Sequence, residues 1–497
     1  MRFLSPALWL LVGIFAAAGP VANADTAQQA ALREAMANAA SAGLDPRDYT
    51  APDFTANLRR FVSDLHFGRI DPAEAGHGLR TDRTRLDLDA AVAALLTSNN
   101  VPHDLAALEP SFIHYHLLKA ELARYRQLAS AHPTLNELPP LPRGVRTLRP
   151  GAMWAGAGAL EQLLRTLGDW PAGAPTGASN ALPPPRTDIY TEVHAAAVRH
   201  FQWRHLQTPD GAIGPATWRE LTTPLAARIR TMELNLERWR WVPPHLHEAP
   251  IVVNIPEFRL FAWETPEDDE SKLLKLEVIV GERYVDKHTP VFEGSLRYLV
   301  FRPYWDVPHS IAVKELLPKI RRDRGFLARE HLEVVRGRGN DATAVPATAT
   351  NLAGVVNGAL RLRQRPGADN ALGLVKFMLP NPYNVYLHST PAQALFEQTS
   401  RTFSHGCVRV QDAAKLAAFL LRDNPAWNAE QVAAAMEDDA PNSRIVPLAK
   451  PVPVYFVYAT AMAARDGLRF FPDVYGHDAE LDRLLRNHQP WRTQLPQ

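Results

Sequence analysis

Apolar residues recur at helical spacing through the first third of the chain. Over residues 25–150 they follow one another at intervals of three or four positions, as they do along one face of an α-helix. The pattern predicts a helical domain over this range. It contains one helix over 27–42, which Gly43 ends, and a longer helix over 111–130.

Three shorter helices are predicted over residues 152–222. The first spans 158–167, the second spans 190–206, and the third begins at Gly214-Pro215 after an Asp-Gly turn. The proline- and glycine-rich segment 171–186 between the first two helices is interpreted as a mobile insertion. This part of the chain is therefore predicted to form a small three-helix domain.

A linker helix within 223–248 precedes a change of pattern from helical spacing to strands. Its apolar stripe predicts packing against a partner and consists of Leu225, Ile229, Met232, Leu236 and Trp239. Short runs of β-branched and aromatic residues then predict strands through 249–476, and a charged stretch at about 311–372 interrupts them. We interpret this region as a mainly antiparallel β-sandwich with a lid insertion, followed by a C-terminal tail over 477–497. The fold class is α+β and multidomain.

The composition excludes one large class of function. The chain has 497 residues, of which 46% are hydrophobic, so it is long enough for two to four domains with apolar cores. Its formal charge is +1, from 54 basic and 53 acidic residues. No excess of basic charge is available for a phosphate backbone, which argues against nucleic acid as a partner.

The first 24 residues have the pattern of a secretory signal peptide. Arg2 gives a short positive region, an apolar run follows, and Ala22-Asn23-Ala24 is a small-x-small cleavage signal. We expect cleavage after Ala24 and export. The alternative is an uncleaved anchor helix, which the prolines and glycine of the run disfavour.

The chain contains a single cysteine, so an internal disulfide is excluded. Cys407 lies in the string Ser404-His405-Gly406-Cys407-Val408-Arg409, and His388 stands nineteen positions upstream. A thiol becomes a strong nucleophile when a nearby imidazole takes its proton and stabilises the thiolate. Two alternatives remain open from the residues alone, a reactive thiol of this kind and an inert buried one.

These motifs resemble the signature of the L,D-transpeptidase (YkuD) family of cell-wall enzymes. The resemblance rests first on His388-Ser389-Thr390 and on the string around Cys407. Further similar strings are Gly281, Thr289-Pro290, Tyr304 to Ile311, Gln364 to Gly367, Asn370 to Gly373 and Lys376-Phe377. They look like the large periplasmic branch, which has a helical scaffold domain, a peptidoglycan-binding domain and a lid. Residues 197–221 are similar to the peptidoglycan-binding type 1 repeat.

The resemblance implies an acyl transfer between peptide stems of peptidoglycan in the periplasm, without a cofactor. Cys407 would attack the third residue of a tetrapeptide donor, release D-Ala and form a thioester. An amine of an acceptor stem would then form a 3→3 cross-link. The family assigns the base to His388, whose ring Ser389 steadies chiefly through its carbonyl, and the amides around Gly406 and Cys407 would hold the oxyanion. We expect an imidazolium–thiolate pair to supply the nucleophile.

Further residues have roles that the motifs leave open. His405 either assists the thiolate or is a structural hydrogen-bonding group, and Arg409 either holds a substrate carboxylate or braces the loop. Four residues are predicted to line the substrate pocket by family position only, and they are Tyr386, Trp305, Arg365 and Lys376. A zinc site is disfavoured, because one cysteine and two histidines at this spacing supply neither four ligands nor ordinary ligand spacing.

Two other functions remain open at this stage. Water or a free D-amino acid as the acceptor would make the protein an L,D-carboxypeptidase or an exchange enzyme. A degenerate catalytic domain would leave a silent scaffold that only binds the cell wall. The expected partners are the donor and acceptor peptide stems, with no metal involved.

Overall fold

The computed structural model describes residues 26–79, 85–171, 188–243, 248–265, 271–323 and 325–487. The predicted signal peptide over 1–24 and most of the segment 171–186 lie outside these ranges. No helix within them combines the length and the apolar character that crossing a bilayer requires.

The helices of the described residues concentrate in the first half of the chain. They are α1 (Ala27–Ala37), α2 (Phe54–Phe67), α3 (Leu88–Leu96), α4 (Val101–Ala106), α5 (Ile113–Ala131), α6 (Ala157–Leu167), α7 (Glu192–Arg204), α8 (Pro215–Leu221), α9 (Leu225–Trp239), α10 (His309–Ile311), α11 (Leu317–Arg322), α12 (Phe326–Arg329), α13 (Ala349–Val356), α14 (Ala413–Leu421), α15 (Ala429–Ala434) and α16 (His477–Asn487).

The strands follow α9. They are β1 (Ile251–Asn254), β2 (Arg259–Ala262), β3 (Leu274–Gly281), β4 (Phe292–Phe301), β5 (Trp305–Asp306), β6 (Leu332–Arg336), β7 (Thr343–Val345), β8 (Arg361–Gln364), β9 (Val375–Met378), β10 (Leu387–His388), β11 (Thr402–Ser404), β12 (Val408–Val410), β13 (Arg444–Val457), β14 (Ala461–Ala464) and β15 (Gly467–Phe470).

The main sheet closes on itself, and this differs from the predicted sandwich of two sheets. Its nine strands run in the order β11-β3-β12-β10-β9-β4-β13-β1-β2, and β2 pairs again with β3. The long strand β13 makes the closure possible, because it pairs with β4 along most of its length and with β1 at its end. Antiparallel pairs predominate, as predicted, and β1–β13, β10–β12 and β3–β11 are parallel.

The interior of the closed sheet is apolar because alternate residues of each strand face it. Leu387 of β10, Phe377 of β9 and Val408 of β12 are fully buried there. Their neighbours along each strand consequently face the other side of the sheet. Helix α14 packs in the same apolar cluster through Leu416 and Ala417.

The predicted helices of the first half are present with small differences. The first predicted helix is shorter, because α1 ends at Ala37 and a 3₁₀ turn over Ala39–Ala42 follows before left-handed Gly43. Helices α6, α7 and α8 occur where three were predicted. Their buried side chains share one apolar cluster with α5, α9 and the β14–β15 hairpin, so the three helices pack against these elements.

Helix α9 connects the helical half to the closed sheet. Its Asn235 side chain donates to Thr460 Oγ1 at 2.8 Å and accepts from the Thr460 amide at 2.9 Å. Within the predicted C-terminal tail, α16 packs beside α9, with Arg230 bound to Asp482 at 2.7 Å. Leu481 and Leu485 of α16 belong to the core of the closed sheet, which explains why this segment is ordered as a helix.

The predicted insertion has an apolar core of its own. A four-stranded sheet, in the order β5-β8-β6-β7, is covered by α10 to α13. The centre of this core is Leu362, which is fully buried beside Leu317 and Val334. The insertion is therefore a small folded unit between β4 and β9, and its lid role remains a prediction.

Replacing Leu362 by alanine is expected to loosen the insertion while the closed sheet stays folded. Such a truncation typically costs about 2–5 kcal/mol where the residue is fully buried. Hydrogen exchange should accelerate over residues 305–364 and remain unchanged in β1 and β13. The matched control is Val356→Ala, since Val356 lies in the same unit but is 40% exposed. Equal acceleration in β1 and β13 would show that the insertion is not a separate cooperative unit.

Candidate active site

Three adjacent strands place the candidate residues on the outer face of the closed sheet. β10 lies between β9 and β12, and the register sets His388 opposite Lys376 on one side and Arg409 on the other. Tyr386 directly precedes β10 and Cys407 directly precedes β12. The Val408 amide donates to the Tyr386 carbonyl at 3.1 Å. Because side chains two positions apart share a face, the predicted cysteine and histidine are diagonal neighbours.

His388 is held in one tautomer by the main chain. Its Nδ1 lies 2.6 Å from the carbonyl oxygen of Ser389. A carbonyl oxygen only accepts hydrogen bonds, so Nδ1 carries the proton in this contact. In the neutral ring this leaves Nε2 as the proton acceptor. The geometry is the one expected from the resemblance, in which the Ser389 carbonyl steadies the ring.

The hydroxyl of Ser389 binds the backbone of a neighbouring segment. Its Oγ accepts hydrogen bonds from the amides of Leu374 at 2.7 Å and Val375 at 3.2 Å, and donates to the Leu372 carbonyl at 3.2 Å. Gly373 makes room for it, because a Cβ there would lie 2.1 Å from the Ser389 Oγ. The hydroxyl thus braces the turn before β9, next to the histidine.

Burial lowers the pKa of His388 to about 3, and the positive charges of Arg409 and Lys376 act in the same direction. The carbonyls of Ser389 and Leu372 oppose this shift. His388 is consequently neutral at neutral pH in the resting protein.

Cys407 is protonated at rest. Burial raises the pKa of its thiol, although hydrogen bonds from Tyr386 and the charges of Lys376 and Arg409 oppose that effect. Its Sγ lies 3.8 Å from the Asn384 carbonyl, to which the thiol donates. Both shifts run against the expected imidazolium–thiolate pair in the resting protein, because burial penalises each charged form.

A hydrogen-bond network fixes the loop that carries the cysteine. The Thr289 hydroxyl, which is fully buried, donates to the Gly406 carbonyl at 2.8 Å and accepts from the Gly281 amide at 2.9 Å. Tyr475 binds the same glycine, because its hydroxyl donates to the Gly281 carbonyl at 2.8 Å. Gly406 has φ +113, a conformation that a side chain would strain.

Of the two amides expected to hold an oxyanion, only one already donates a hydrogen bond. The Gly406 amide donates to the Ser404 Oγ at 3.1 Å, so it is already occupied. The Ser404 hydroxyl in turn donates to the Cys407 carbonyl. Among the hydrogen bonds of the described residues, the Cys407 amide has no acceptor, which leaves it as the backbone donor beside the sulfur.

Three predicted substrate-binding residues lie in the same cluster. The Lys376 Nζ lies 5.4 Å from the centre of the Tyr386 ring, and the Tyr386 ring lies 5.7 Å from that of His388. Burial lowers the pKa of Lys376, whose charge faces Asp306 and Cys407. The Nε of Arg409 is buried without a partner among the described residues. An unpaired buried donor suits a substrate carboxylate better than a brace.

His405 contacts the insertion. Its Nε2 lies 2.8 Å from the Oε1 of Glu315, which belongs to the short π-helix Ala312–Leu316 of the insertion. Of its two predicted roles, this contact favours the structural one. It also joins the cysteine loop directly to the insertion.

Two predicted pocket residues lie outside the cluster. Trp305 is half-buried and packs against the core of the insertion. Arg365 is exposed just after β8, and its amide donates to the His331 carbonyl at 3.0 Å. Both were assigned by family position alone, and the position along the chain did not reveal that β5 and β8 belong to a separate sheet.

Sequence reasoning missed three residues of this site. They are Asn384, which accepts from the thiol, Asp306, which faces Lys376, and Glu315, which binds His405. Asn384 has φ +55, a conformation that asparagine tolerates better than most residues, so its position in a turn was the available signal. The acidic residues carried no signal, since their contacts cross the boundary of the insertion.

The described residues contain no group of three or more histidine, cysteine or carboxylate side chains that could hold a metal ion. Within that part of the chain, the register places Cys407 and His388 as diagonal neighbours on adjacent strands.

Two families of known proteins match separate parts of the chain. Residues 249–439 match YkuD, the L,D-transpeptidase catalytic domain, and residues 21–122 match the Scaffold domain. A Haemophilus influenzae protein named "Putative L,D-transpeptidase" is 31% identical over 252 residues, which are 50% of this chain and 48% of that protein. The chain thus matches about half the length of this curated relative.

The reactivity of Cys407 should rise with pH through a value above the ordinary thiol pKa of about 8.5. The measurement is the rate of alkylation by iodoacetamide across pH. Tyr386→Phe should move the midpoint still higher, because it removes a hydrogen bond that favours the thiolate. The matched control is Tyr383→Phe, since Tyr383 is 44% exposed and lies on the same loop. A rate that is already at its plateau near neutral pH would contradict the neutral pair.

Proposed function

The segment 249–439 is a catalytic domain of the YkuD L,D-transpeptidase family, and from this premise we propose that the chain forms 3→3 cross-links between peptidoglycan stems through a thioester on Cys407. The observation that carries the proposal is the pairing of β10 with β12. The register makes Cys407 and His388 diagonal neighbours, and the hydrogen bond of Nδ1 leaves Nε2 as the ring nitrogen that would accept the thiol proton.

The first half-reaction consumes the donor stem. The Cys407 sulfur attacks the carbonyl carbon of the third stem residue, and the thiol proton moves to His388 Nε2 as the S–C bond forms. His388 then passes this proton to the nitrogen of D-Ala as the C–N bond breaks. The products are a thioester and free D-Ala, and both charges on the protein exist only during the transfer.

The second half-reaction returns the enzyme to its resting state. An acceptor amine attacks the thioester carbonyl, gives a proton to His388, and displaces the sulfur as a thiolate. The thiolate takes the proton back from the imidazolium. A neutral starting pair suits this cycle, since His388 must be unprotonated to accept a proton in each half.

The surrounding charges support both transition states. The Cys407 amide is placed to donate to the developing oxyanion. Lys376 lies on the same face, and its positive charge stabilises negative charge on oxygen or sulfur more strongly in a buried site than in water. Arg409, with its unpartnered Nε, is proposed to bind a carboxylate of the donor stem.

The rest of the chain is proposed to bring this site to its substrate. The pattern of residues 1–24 supports export to the periplasm, where peptidoglycan is accessible. The helices α6 to α8 support a wall-binding unit through their similarity to the type 1 repeat. In that unit the Gln202 side chain holds the Asp-Gly turn, with its Oε1 accepting from the Gly211 amide at 2.8 Å.

Cys407→Ala and His388→Ala are each expected to abolish cross-linking. The first removes the group that carries the acyl chain and the second removes the base, for which a loss of at least about 100-fold is typical. Purified protein is incubated with isolated tetrapeptide stems, and the products are identified by mass spectrometry. The matched control is His309→Ala, because His309 is an exposed histidine outside the cluster whose ring contacts the Val356 carbonyl.

The products decide between the proposal and its alternatives. Dimers joined 3→3 support the transpeptidase. Tripeptides without dimers would identify a carboxypeptidase, and stems with an exchanged terminal D-amino acid would identify an exchange enzyme. Unaltered stems together with an unreactive thiol would leave only a wall-binding scaffold. Cross-linking by the Cys407→Ala protein would rule out the thioester.

The insertion is proposed to shape the entry of the acceptor, and its contact with the cysteine loop gives a direct test. Glu315→Gln weakens the hydrogen bond to His405 without touching the sulfur. Transfer to the acceptor should slow several-fold, while iodoacetamide alkylation of Cys407 should remain unchanged. Glu330→Gln is the control, since Glu330 is an exposed acid elsewhere on the insertion. Equal loss in transfer and alkylation would contradict a role in acceptor entry.

A further inference from the structure

The peptide group between Gly406 and Cys407 is held on its carbonyl side by a residue of another segment. Thr289 lies between β3 and β4, and its hydroxyl donates to the Gly406 carbonyl at 2.8 Å. A peptide group is planar and trans, so its C=O and its N–H point in opposite directions. The hydrogen bond on the Gly406 carbonyl therefore sets the direction in which the Cys407 N–H points.

The contact with Thr289 differs from the other hydrogen bonds of the cysteine loop. The Gly406 amide donates to the Ser404 Oγ, and the Ser404 hydroxyl donates to the Cys407 carbonyl, so both bonds lie within the loop. The strands on either side, β11 and β12, are anchored by pairing with β3 and β10. At the tip between these strands, Thr289 supplies a hydrogen bond from outside the loop and fixes the peptide relative to the sheet.

The orientation of Thr289 depends on the hydroxyl of Tyr475. Thr289 is fully buried, and its own hydroxyl accepts from the Gly281 amide at 2.9 Å, which leaves the hydroxyl proton for Gly406. The Tyr475 hydroxyl accepts from the Thr289 amide at 3.2 Å and donates to the Gly281 carbonyl at 2.8 Å. Without this hydroxyl, a buried amide would lose its partner. That loss costs free energy unless the segment rearranges.

The ring of Tyr475 packs on the same segment. It is stacked on the imidazole of His288, with the ring centres 3.9 Å apart and the planes within 11° of each other. The His288 carbonyl oxygen would lie only 3.3 Å from a Cβ at Gly406, so the backbone of His288 borders the cysteine loop. The Tyr475 amide donates to the Tyr458 hydroxyl at 2.7 Å, which holds the ring in place. Tyr475 lies beyond the matched segment 249–439, so the family match alone does not point to it.

We propose that Tyr475 is a positioning residue, which acts through Thr289 to aim the Cys407 amide at the developing oxyanion. The inference rests on the proposed function in one respect, the attack of the Cys407 sulfur on a carbonyl carbon. Thr289 also strengthens the donor, since a carbonyl that accepts a hydrogen bond polarises the N–H of the same peptide. An oxyanion donor is effective only when it points to the place where charge develops. A small rotation of this peptide therefore slows acylation.

Two reagents separate the direction of the amide from the reactivity of the thiol. 4-Nitrophenyl acetate reacts through an oxyanion: the Cys407 sulfur attacks the ester carbonyl, 4-nitrophenolate leaves, and an acetyl thioester remains. Iodoacetamide alkylates the same sulfur by displacement of iodide, without an oxyanion. Neither reagent is a peptidoglycan stem, so a failure to cross-link stems would leave this inference standing. The ratio of the acylation rate to the alkylation rate is measured on the full chain, by mass spectrometry of the peptide that contains Cys407.

Thr289→Val keeps the shape of the side chain and removes its hydroxyl. We expect the ratio to fall about tenfold in this variant and several-fold in Tyr475→Phe, because the donor is kept but no longer aimed. Thr289→Ser keeps the hydroxyl and should retain the wild-type ratio. The matched control is Tyr298→Phe, which should leave the ratio unchanged, because Tyr298 is a half-buried tyrosine of β4 outside this network.

Each outcome supports or overturns the assignment. A lowered ratio in Thr289→Val and Tyr475→Phe, with recovery in Thr289→Ser, supports it. An unchanged ratio in Tyr475→Phe overturns it, and so does an equal fall of both rates, which would indicate a general loss of structure. A wild-type thiol that is alkylated but not acylated would show that the Cys407 amide holds no oxyanion, and this also overturns it. If Thr289→Val does not fold, Tyr475→Phe decides the question, because the hydroxyl that it removes lies farther from the loop.

Discussion

The candidate active site depends on the pairing of a two-residue strand with its neighbours. β10 contains only Leu387 and His388, and it is bonded to β9 on one side and to β12 on the other. Leu387 is held in the core of the closed sheet, which forces His388 onto the outer face. The same register brings Lys376 and Arg409 to either side of the imidazole. A shift by one residue would bury these charged groups and expose the core.

This placement explains the charge state as well as the geometry. Two cations flank a buried imidazole, so protonating His388 before substrate arrives is unfavourable. The same two cations favour a negative charge on the sulfur, but burial outweighs them in the resting state. Under the proposed function, this arrangement suits charges that develop during acyl transfer, when preorganised cations and the Cys407 amide act without reorganisation.

The sequence predicts that Cys407 and His388 belong to one site, and the structure places them on adjacent strands because each motif is a short local string. It also predicts Tyr386 and Arg409, which are two positions from the pair along each strand. It does not predict the directions of the two pKa shifts, which arise chiefly from burial, with the charges of Arg409 and Lys376 adding to the shift of His388. Closure of the sheet and the Glu315 contact with His405 could not be predicted either, since both depend on pairings between segments distant in the chain.

The most direct test of this account is the protonation state of His388 in the resting enzyme. Nitrogen-15 NMR of the labelled imidazole at neutral pH distinguishes the three forms of the ring. The account predicts a neutral ring with the proton on Nδ1 and a bare Nε2, which persists as the pH is lowered toward about 3. A ring protonated on both nitrogens at neutral pH, together with an ionised Cys407, would contradict it.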